Sequence, residues 1–91
     1  MLFMVIETFK PSSVNKIHDR FARDGRMLPD DVVYHASWVD PEGLRCFQLM
    51  EAPSTNALTA WIQQWNDLMH FDVVPVIASA DFWEVRRMSG S

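Results

Sequence analysis

The 91-residue sequence is poor in the residues that mark several common classes of protein. It has one cysteine, Cys46, so no disulfide can form within the chain. It has only three glycines and no glycine-rich phosphate loop, so we expect no cofactor. Its eight Lys and Arg residues are scattered and outnumbered by twelve Asp and Glu residues, giving a net charge of −4. Because an acidic domain repels phosphate, we expect no nucleic-acid partner.

Long apolar runs and metal-ligand spacings are missing as well. The apolar start has no basic residues before it and is interrupted early by Glu7, so we expect no signal peptide. No apolar run approaches the length of a membrane span, and no pair of the three histidines has zinc-like spacing. We therefore expect a cytoplasmic protein with no membrane partner and no metal site.

The sequence does contain a regular alternation of strand and helix patterns. Runs of β-branched and aromatic residues predict strands over residues 2–9, 32–39, 44–51 and 71–78. Helical spacing predicts a first helix that starts near Ser13 and ends at Gly25. A second helix is predicted from an apolar stripe of Leu58, Trp61, Ile62, Trp65, Leu68 and Met69. We place one domain at residues 1–80 and a C-terminal tail, with a short helix and a frayed end, at residues 81–91.

This β-α-β-β-α-β order predicts a ferredoxin-like α+β fold. Right-handed crossovers put both helices on one face of an antiparallel sheet with strand order 4-1-3-2. Pro75 supports an edge position for strand 4, since proline has no backbone N–H to donate to a neighbouring strand. No predicted element covers the other face of the sheet.

The turn at residues 40–43 sets which side chains share a face. We predict a type I turn with a glycine bulge, which pairs Asp40 with Leu44. A four-residue loop is the alternative, disfavoured because Asp40 precedes a proline. The bulge register separates an aliphatic set, assigned to the helices, from a second set predicted to face outward. That outward set is Tyr34, Trp38, Cys46, Gln48 and Met50.

An outward face so apolar predicts an interface or a ligand site. We expect a homodimer stacked through its sheet faces, with the outward set as candidate ligand-binding residues around a small-molecule chamber. Trp38 is predicted to anchor the dimer or to stack on a ligand, and Cys46 is interpreted as a small buried hydrophobe. Glu7 joins the candidates, because a buried carboxylate has a raised pKa and can act as a general base. If Glu7 instead lies at the strand end near Lys10, it is a solvated charge.

Five segments of the sequence are distinctive when taken together. The most specific is Arg45-Cys46-Phe47-Gln48-Leu49-Met50-Glu51, and the others lie at residues 1–7, 25–29, 37–39 and 71–76. Together they resemble an uncharacterised bacterial family, domain of unknown function 3303. The family is similar in fold to the dimeric α/β-barrel superfamily, which includes cofactor-independent monooxygenases, muconolactone isomerases and haem-degrading enzymes. The resemblance implies a dimer with a possible chamber, but no particular reaction.

Three functions therefore stay open. The leading hypothesis is a dimeric protein with a small-molecule chamber of unknown ligand. The enzyme alternative is a cofactor-independent monooxygenase or isomerase of an aromatic or polyketide-like substrate. The third is a purely structural dimer whose interface leaves no ligand site.

Overall fold

The computed structural model describes residues 1–90 of the chain, with side chains to residue 87. Within these residues the chain forms four strands, three α-helices and one 3-10 helix at Thr55–Leu58. The strands are β1 (Leu2–Phe9), β2 (Val33–Val39), β3 (Arg45–Glu51) and β4 (Met69–Val76). The helices are α1 (Val14–Asp24), α2 (Thr59–Gln63) and α3 (Ser79–Gly90).

The sheet has the predicted ferredoxin-like topology. Its order is β2-β3-β1-β4 with antiparallel neighbours, which is the predicted 4-1-3-2 order in reverse. Pro75 lies on the edge strand β4, as predicted. Helix α1 also ends as predicted, because Gly25 adopts a positive φ of 67° and donates its N–H to the carbonyl of Phe21.

The segment after β3 is less helical than its apolar stripe predicts. Only residues 59–63 form an α-helix, and the following turns use tighter bonds, such as Trp65 N–H to the carbonyl of Ile62. Strand β4 begins two residues earlier than predicted, because Met69 already pairs with Phe9. Helix α3 continues across the predicted boundary at residue 80, and Ser91 of the predicted tail lies outside the described residues.

The β2–β3 hairpin is closed by a four-residue loop, and the predicted glycine-bulge register is wrong. Val39 pairs with Cys46, and the N–H of Asp40 donates to the carbonyl of Arg45 at 3.0 Å. The Asp40 carboxylate accepts the backbone N–H groups of Leu44 at 3.1 Å and Arg45 at 2.8 Å. These bonds hold the pKa of Asp40 below its ordinary value. They also stabilise the four-residue loop, against the preference expected of a residue before proline.

In this hairpin, the predicted assignment of β3 side chains to the two faces of the sheet is also wrong. In β1, the side chains of Phe3, Val5 and Glu7 point toward the helices, and pairing places Met50, Gln48 and Cys46 directly beside them. These three β3 residues therefore lie under the helices and not on the open face.

A bulge at the middle of β2 places Tyr34 and Trp38 on opposite faces of the sheet. Tyr34 pairs with Met50 as predicted, but a register shift after Tyr34 puts Trp38 opposite Phe47. Tyr34 packs against the core, so Trp38 is the one member of the predicted outward set that lies on the open face. The rule that placed the more aliphatic set under the helices therefore assigned the side chains of β3 to the wrong faces.

The core fills part of the space between helices and sheet. Its fully buried side chains are Trp61, Phe3, Met50, Leu58 and Val5. Burying one such side chain contributes roughly 1.5–3 kcal/mol, so this cluster dominates the stability of a small domain. Helix α1 is different, because none of its residues is buried.

The other side of the sheet and the last helix are exposed apolar surfaces. The open face carries Leu2, Met4, Ile6, Trp38, Phe47, Leu49 and Val74. Helix α3 lengthens the molecule, whose Cα radius of gyration is 15.4 Å against about 12 Å expected for a compact chain of this length. Trp83 on this helix is 64% exposed.

Candidate functional site

The candidate site is a pocket of about 350 Å³ between α1 and the helix side of the sheet. Helix α1 forms one wall with Val14, Ile17 and Phe21, whose apolar stripe faces the pocket. Because a space is left beneath this stripe, α1 buries no residue of its own. The remaining lining comes from the strands, α2 and the loop after α1: Glu7, Phe9, Arg26, Ser37, Val39, Gly43, Cys46, Gln48, Trp61, Trp65 and Met69, with His18 at the edge of α1.

A carboxylate and an amide form the polar centre of this pocket. Glu7 on β1 is 5% exposed, and its Oε2 accepts a hydrogen bond of 2.8 Å from Nε2 of Gln48 on β3. The other end of the amide, Oε1 of Gln48, accepts a bond of 3.3 Å from Nε of Arg26. Arg26, Gln48 and Glu7 thus form a chain that fixes the carboxylate in a mostly apolar cavity.

Burial controls the ionisation of the two acidic groups of the site. Desolvation raises the pKa of Glu7 from 4.5 to about 7, although the hydrogen bonds from Gln48 and Cys46 and the charge of Arg26 oppose the rise. Burial also raises the pKa of the Cys46 thiol to about 12, and the neighbouring Glu7 adds to this effect. At neutral pH Glu7 can therefore gain or lose a proton, whereas Cys46 stays a thiol and is a poor nucleophile.

Arg26 is held by aromatic rings as well as by Gln48. Its guanidinium carbon lies 3.6 Å from the ring centre of Tyr34 and 5.2 Å from that of Phe21. Its carbonyl accepts the indole N–H of Trp65 at 3.0 Å. These contacts place a positive charge beside the pocket without a carboxylate as its direct hydrogen-bond partner among the described residues.

Trp61 borders the same pocket and carries a buried side-chain donor. Its ring is 1% exposed and packs edge to face against Phe71, with the ring centres 5.6 Å apart. Among the described residues, its Nε1–H is a buried side-chain donor that has no hydrogen-bond partner. Buried donors are rarely left unpaired, so this N–H needs an explanation.

The structure divides the predicted site residues among three places. Glu7, Cys46 and Gln48 meet in the pocket, and Tyr34 adjoins it through Arg26. Met50 is part of the close-packed core and does not line the pocket. Trp38 lies on the opposite face of the sheet and is 56% exposed. The predicted outward chamber is therefore replaced, for the polar residues, by a pocket under the helices.

Sequence reasoning missed Arg26 and the role of α1. The stripe of Val14, Ile17 and Phe21 has the spacing of an ordinary core-facing helix, so nothing in it distinguishes a pocket wall from a packed face. Trp61 and Trp65 belong to the predicted apolar stripe of the second helix, and both are buried, but they also line the pocket. One signal was available in the sequence. Arg26 directly follows the helix-ending Gly25, which places it at the C-terminus of α1.

Clusters of metal ligands and membrane-length helices are both missing from the part of the chain that the structure describes. No group of three or more His, Cys, Asp or Glu side chains is placed to share a metal ion there. None of the helices in it has the length and apolar character needed to cross a bilayer.

The fold and the pocket define a small α+β protein with a ferredoxin-like sheet and a partly enclosed, ionisable site under its helices. The chain belongs to the family described as domain of unknown function (DUF3303), whose model matches residues 1–88. Comparisons with curated proteins and with solved structures gave no match. The family description leaves the function to be inferred from the site.

Proposed function

We propose that this domain binds a small, largely apolar molecule in the pocket between α1 and the sheet, with Glu7 as the ionisable group that contacts it. The observation that carries the proposal is a buried carboxylate fixed by Gln48 inside an apolar cavity. Ligand sites are typically apolar cavities of roughly 300–1,000 Å³ with a few convergent polar groups. The volume of about 350 Å³ fits a compound of one to three rings.

The position of α1 favours a ligand-binding role for the pocket over a purely structural role. A helix with an apolar stripe normally buries that stripe against its own core. Here Val14 and Phe21 stay about half exposed while they border the cavity. A bound apolar molecule would cover both side chains and remove their surface from water.

The neutral fluorescent probe N-phenyl-1-naphthylamine tests the pocket directly. Its emission should rise on binding to the wild-type protein, and Ile17→Trp, which fills the cavity from α1, should weaken binding by at least about tenfold, or about 1.4 kcal/mol. Lys16→Trp is the matched control, because Lys16 is exposed on the same helix and does not line the pocket. Equal binding by all three proteins, or no binding by the wild type, would contradict the proposal.

A second candidate function is an isomerase that transfers a proton, and the pKa of Glu7 favours it. A carboxylate with a pKa of about 7 can remove a proton from carbon next to a carbonyl, while the C–H electron pair moves to the carbonyl oxygen as an enolate. The same carboxyl group then returns the proton to another carbon. A monooxygenase would begin with the same deprotonation and would need O₂ as co-substrate.

Deuterium exchange distinguishes catalysis from binding. The protein should accelerate exchange of the C1 protons of 2-tetralone in D₂O, followed by proton NMR, and Glu7→Gln should abolish the acceleration. Glu42→Gln, in the exposed hairpin turn, is the control for the same chemical change. If the wild-type protein binds the ketone but does not accelerate the exchange, the domain is a binding protein and the isomerase activity is excluded.

We also propose that the open sheet face forms a homodimer with a second copy of the chain. Four strands of seven or eight residues present a face of roughly 19 by 25 Å, or about 475 Å², which corresponds to the small class of specific interfaces of under about 600 Å² per partner. Trp38 and Phe47 lie opposite each other near one edge of this face. At the start of β1, the same face carries Leu2 and Met4. Most of the contact between the two copies would therefore be apolar.

Sedimentation measures this dimer. The wild-type protein at micromolar concentration should have twice the chain mass of 10.6 kDa, and Trp38→Glu should shift it toward monomer because it buries an unpaired charge. Trp83→Glu on α3 is the matched control and should remain a dimer. A monomeric wild-type protein would refute this interface.

A further inference from the structure

We infer that the pocket takes an apolar carboxylic acid, whose carboxylate is bound by the guanidinium of Arg26 while its hydrocarbon part lies beneath α1. This inference rests on the proposed function, because it names the class of ligand for the same pocket. It makes Arg26 the residue that selects the ligand, in addition to the residue that holds Gln48.

Arg26 lines the pocket without a carboxylate of its own, although acidic residues outnumber basic ones in the chain. Other arginines on the body of the domain are paired: Arg20 lies 2.8 Å from Asp67, and Arg23 lies 2.9 Å from Asp24. Among the described residues, none supplies a carboxylate within ion-pair distance of Arg26. An arginine that stays unpaired at the wall of a cavity is suited to bind an anion there.

The neighbours of Arg26 hold its guanidinium but leave its two terminal nitrogens without hydrogen bonds to other described residues. Its Nε donates to Oε1 of Gln48 at 3.3 Å, and its guanidinium carbon lies 3.6 Å from the ring centre of Tyr34. The N–H groups lie in the plane of the guanidinium, so a ring packed on its face leaves them free. Arg26 is only partly buried, so a molecule in the pocket can reach this pair of donors, whose spacing matches a carboxylate.

Gln48 keeps the carboxylate of Glu7 apart from Arg26. Its amide donates to Glu7 at 2.8 Å and accepts from Arg26, so the two charged groups are joined through the amide and not by a direct ion pair. Burial raises the pKa of Glu7 to about 7, so near neutral pH Glu7 can take up a proton when an anion binds beside it. The ligand carboxylate then meets one positive group and one neutral group.

The walls and the single charge narrow the chemical class. Val14, Ile17 and Phe21 line the α1 side, so most of the ligand surface must be hydrocarbon. A carboxylate carries one negative charge, which one arginine balances, whereas a doubly charged phosphate ester would leave a buried charge unpaired. Aromatic or alicyclic monocarboxylic acids of one to three rings meet both conditions.

A matched pair of ligands tests the inference. 2-Naphthoate and 2-naphthamide share a two-ring skeleton and nearly the same shape, and they differ in charge. In calorimetric titrations at neutral pH, the wild-type protein should bind 2-naphthoate at least about tenfold more tightly than 2-naphthamide, because hydrogen bonds from a guanidinium to a carboxylate are charge-assisted. In ¹H–¹⁵N spectra, the Nε–H signal of Arg26 should move further with 2-naphthoate than with 2-naphthamide.

The variant Arg26→Gln removes the charge and the paired donors. It should bind 2-naphthoate at least about tenfold more weakly than the wild type does and bind 2-naphthamide equally well. Arg23→Gln is the matched control, because it makes the same chemical change on α1 at a residue that does not line the pocket, and it should change neither affinity.

The outcomes separate this inference from the proposed function. If the wild type binds N-phenyl-1-naphthylamine but binds the two naphthyl compounds equally, or if Arg26→Gln keeps the preference for 2-naphthoate, the inference is overturned and the pocket remains a binding site. If Arg26→Gln does not fold, the affinities of the wild type and its Arg26 signal still decide. If N-phenyl-1-naphthylamine is not bound at all, the proposed function itself fails.

Discussion

Glu7 should make the folded protein less stable as the pH rises. Its carboxyl group has a pKa of about 7 in the folded state and 4.5 in the unfolded state. Between these values the folded state binds more protons than the unfolded state, so the free energy of unfolding falls with increasing pH. The loss begins near the unfolded pKa and is complete just above the folded one.

The magnitude follows from the two pKa values. Each pKa unit corresponds to about 1.4 kcal/mol, so Glu7 costs roughly 3 kcal/mol above pH 8 and less than about 1 kcal/mol at pH 5. The variant Glu7→Gln cannot ionise and avoids this cost. Its stability relative to the wild type should therefore improve by about 2.5 kcal/mol between pH 5 and pH 8.

Urea unfolding of both proteins at four pH values measures the effect. The comparison uses the difference between the two proteins, because other groups change the absolute stability with pH in both of them. Glu42→Gln provides the control, since Glu42 is exposed in the hairpin turn. A difference between Glu7→Gln and the wild type that stays constant from pH 5 to pH 8 would refute the reasoning, because it would mean that Glu7 does not titrate in this range.

Three further outcomes are expected. Trp65→Ala should lower the free energy of unfolding by about 3–5 kcal/mol in urea titrations, since Trp65 is buried and bonded to Arg26, and an unchanged midpoint would show that this ring is not core. Arg20→Ala should cost about 1 kcal/mol, less at high salt, because Arg20 forms a two-bond ion pair with Asp67; a salt-independent cost would contradict an ionic origin. Cys46 should react with a thiol reagent at pH 8 only after unfolding, since burial raises its pKa, and rapid labelling of the native protein would contradict that burial.

The sequence predicted the topology because strong local signals agreed with one another. Three independent features each restrict the possible topologies: the apolar runs of the four strands, the helix-ending Gly25 and the edge-strand Pro75. Together they leave few possible arrangements of the elements. The stripe with Trp61 and Trp65 correctly identified the residues that pack on the sheet, although less of it is helical than predicted. These features depend on periodicity, which a single sequence contains.

The site could not be predicted in the same way, because it depends on side-chain contacts across the chain. The loop register is set by the carboxylate of Asp40, which bonds two backbone N–H groups and overrides a local backbone preference. Gln48 belongs under the helices only because Glu7 and Arg26, both distant in sequence, satisfy its amide. Neither compensation is visible in the pattern of apolar and polar residues, so a rule based on that pattern assigned the wrong face.

The stripe on α1 separates the wall of the cavity from the folded core in this protein. Val14, Ile17 and Phe21 border the cavity without being buried, whereas the fully buried side chains come from the sheet, the 3-10 helix and α2. Substitutions on the stripe should therefore reshape the cavity with a smaller loss of stability than substitutions of the fully buried side chains, even at Ile17, which is partly buried against the core. On the proposed function, divergent chains with the same core can acquire different ligand preferences through these three positions, and a combinatorial library confined to them offers a direct route to engineered specificity.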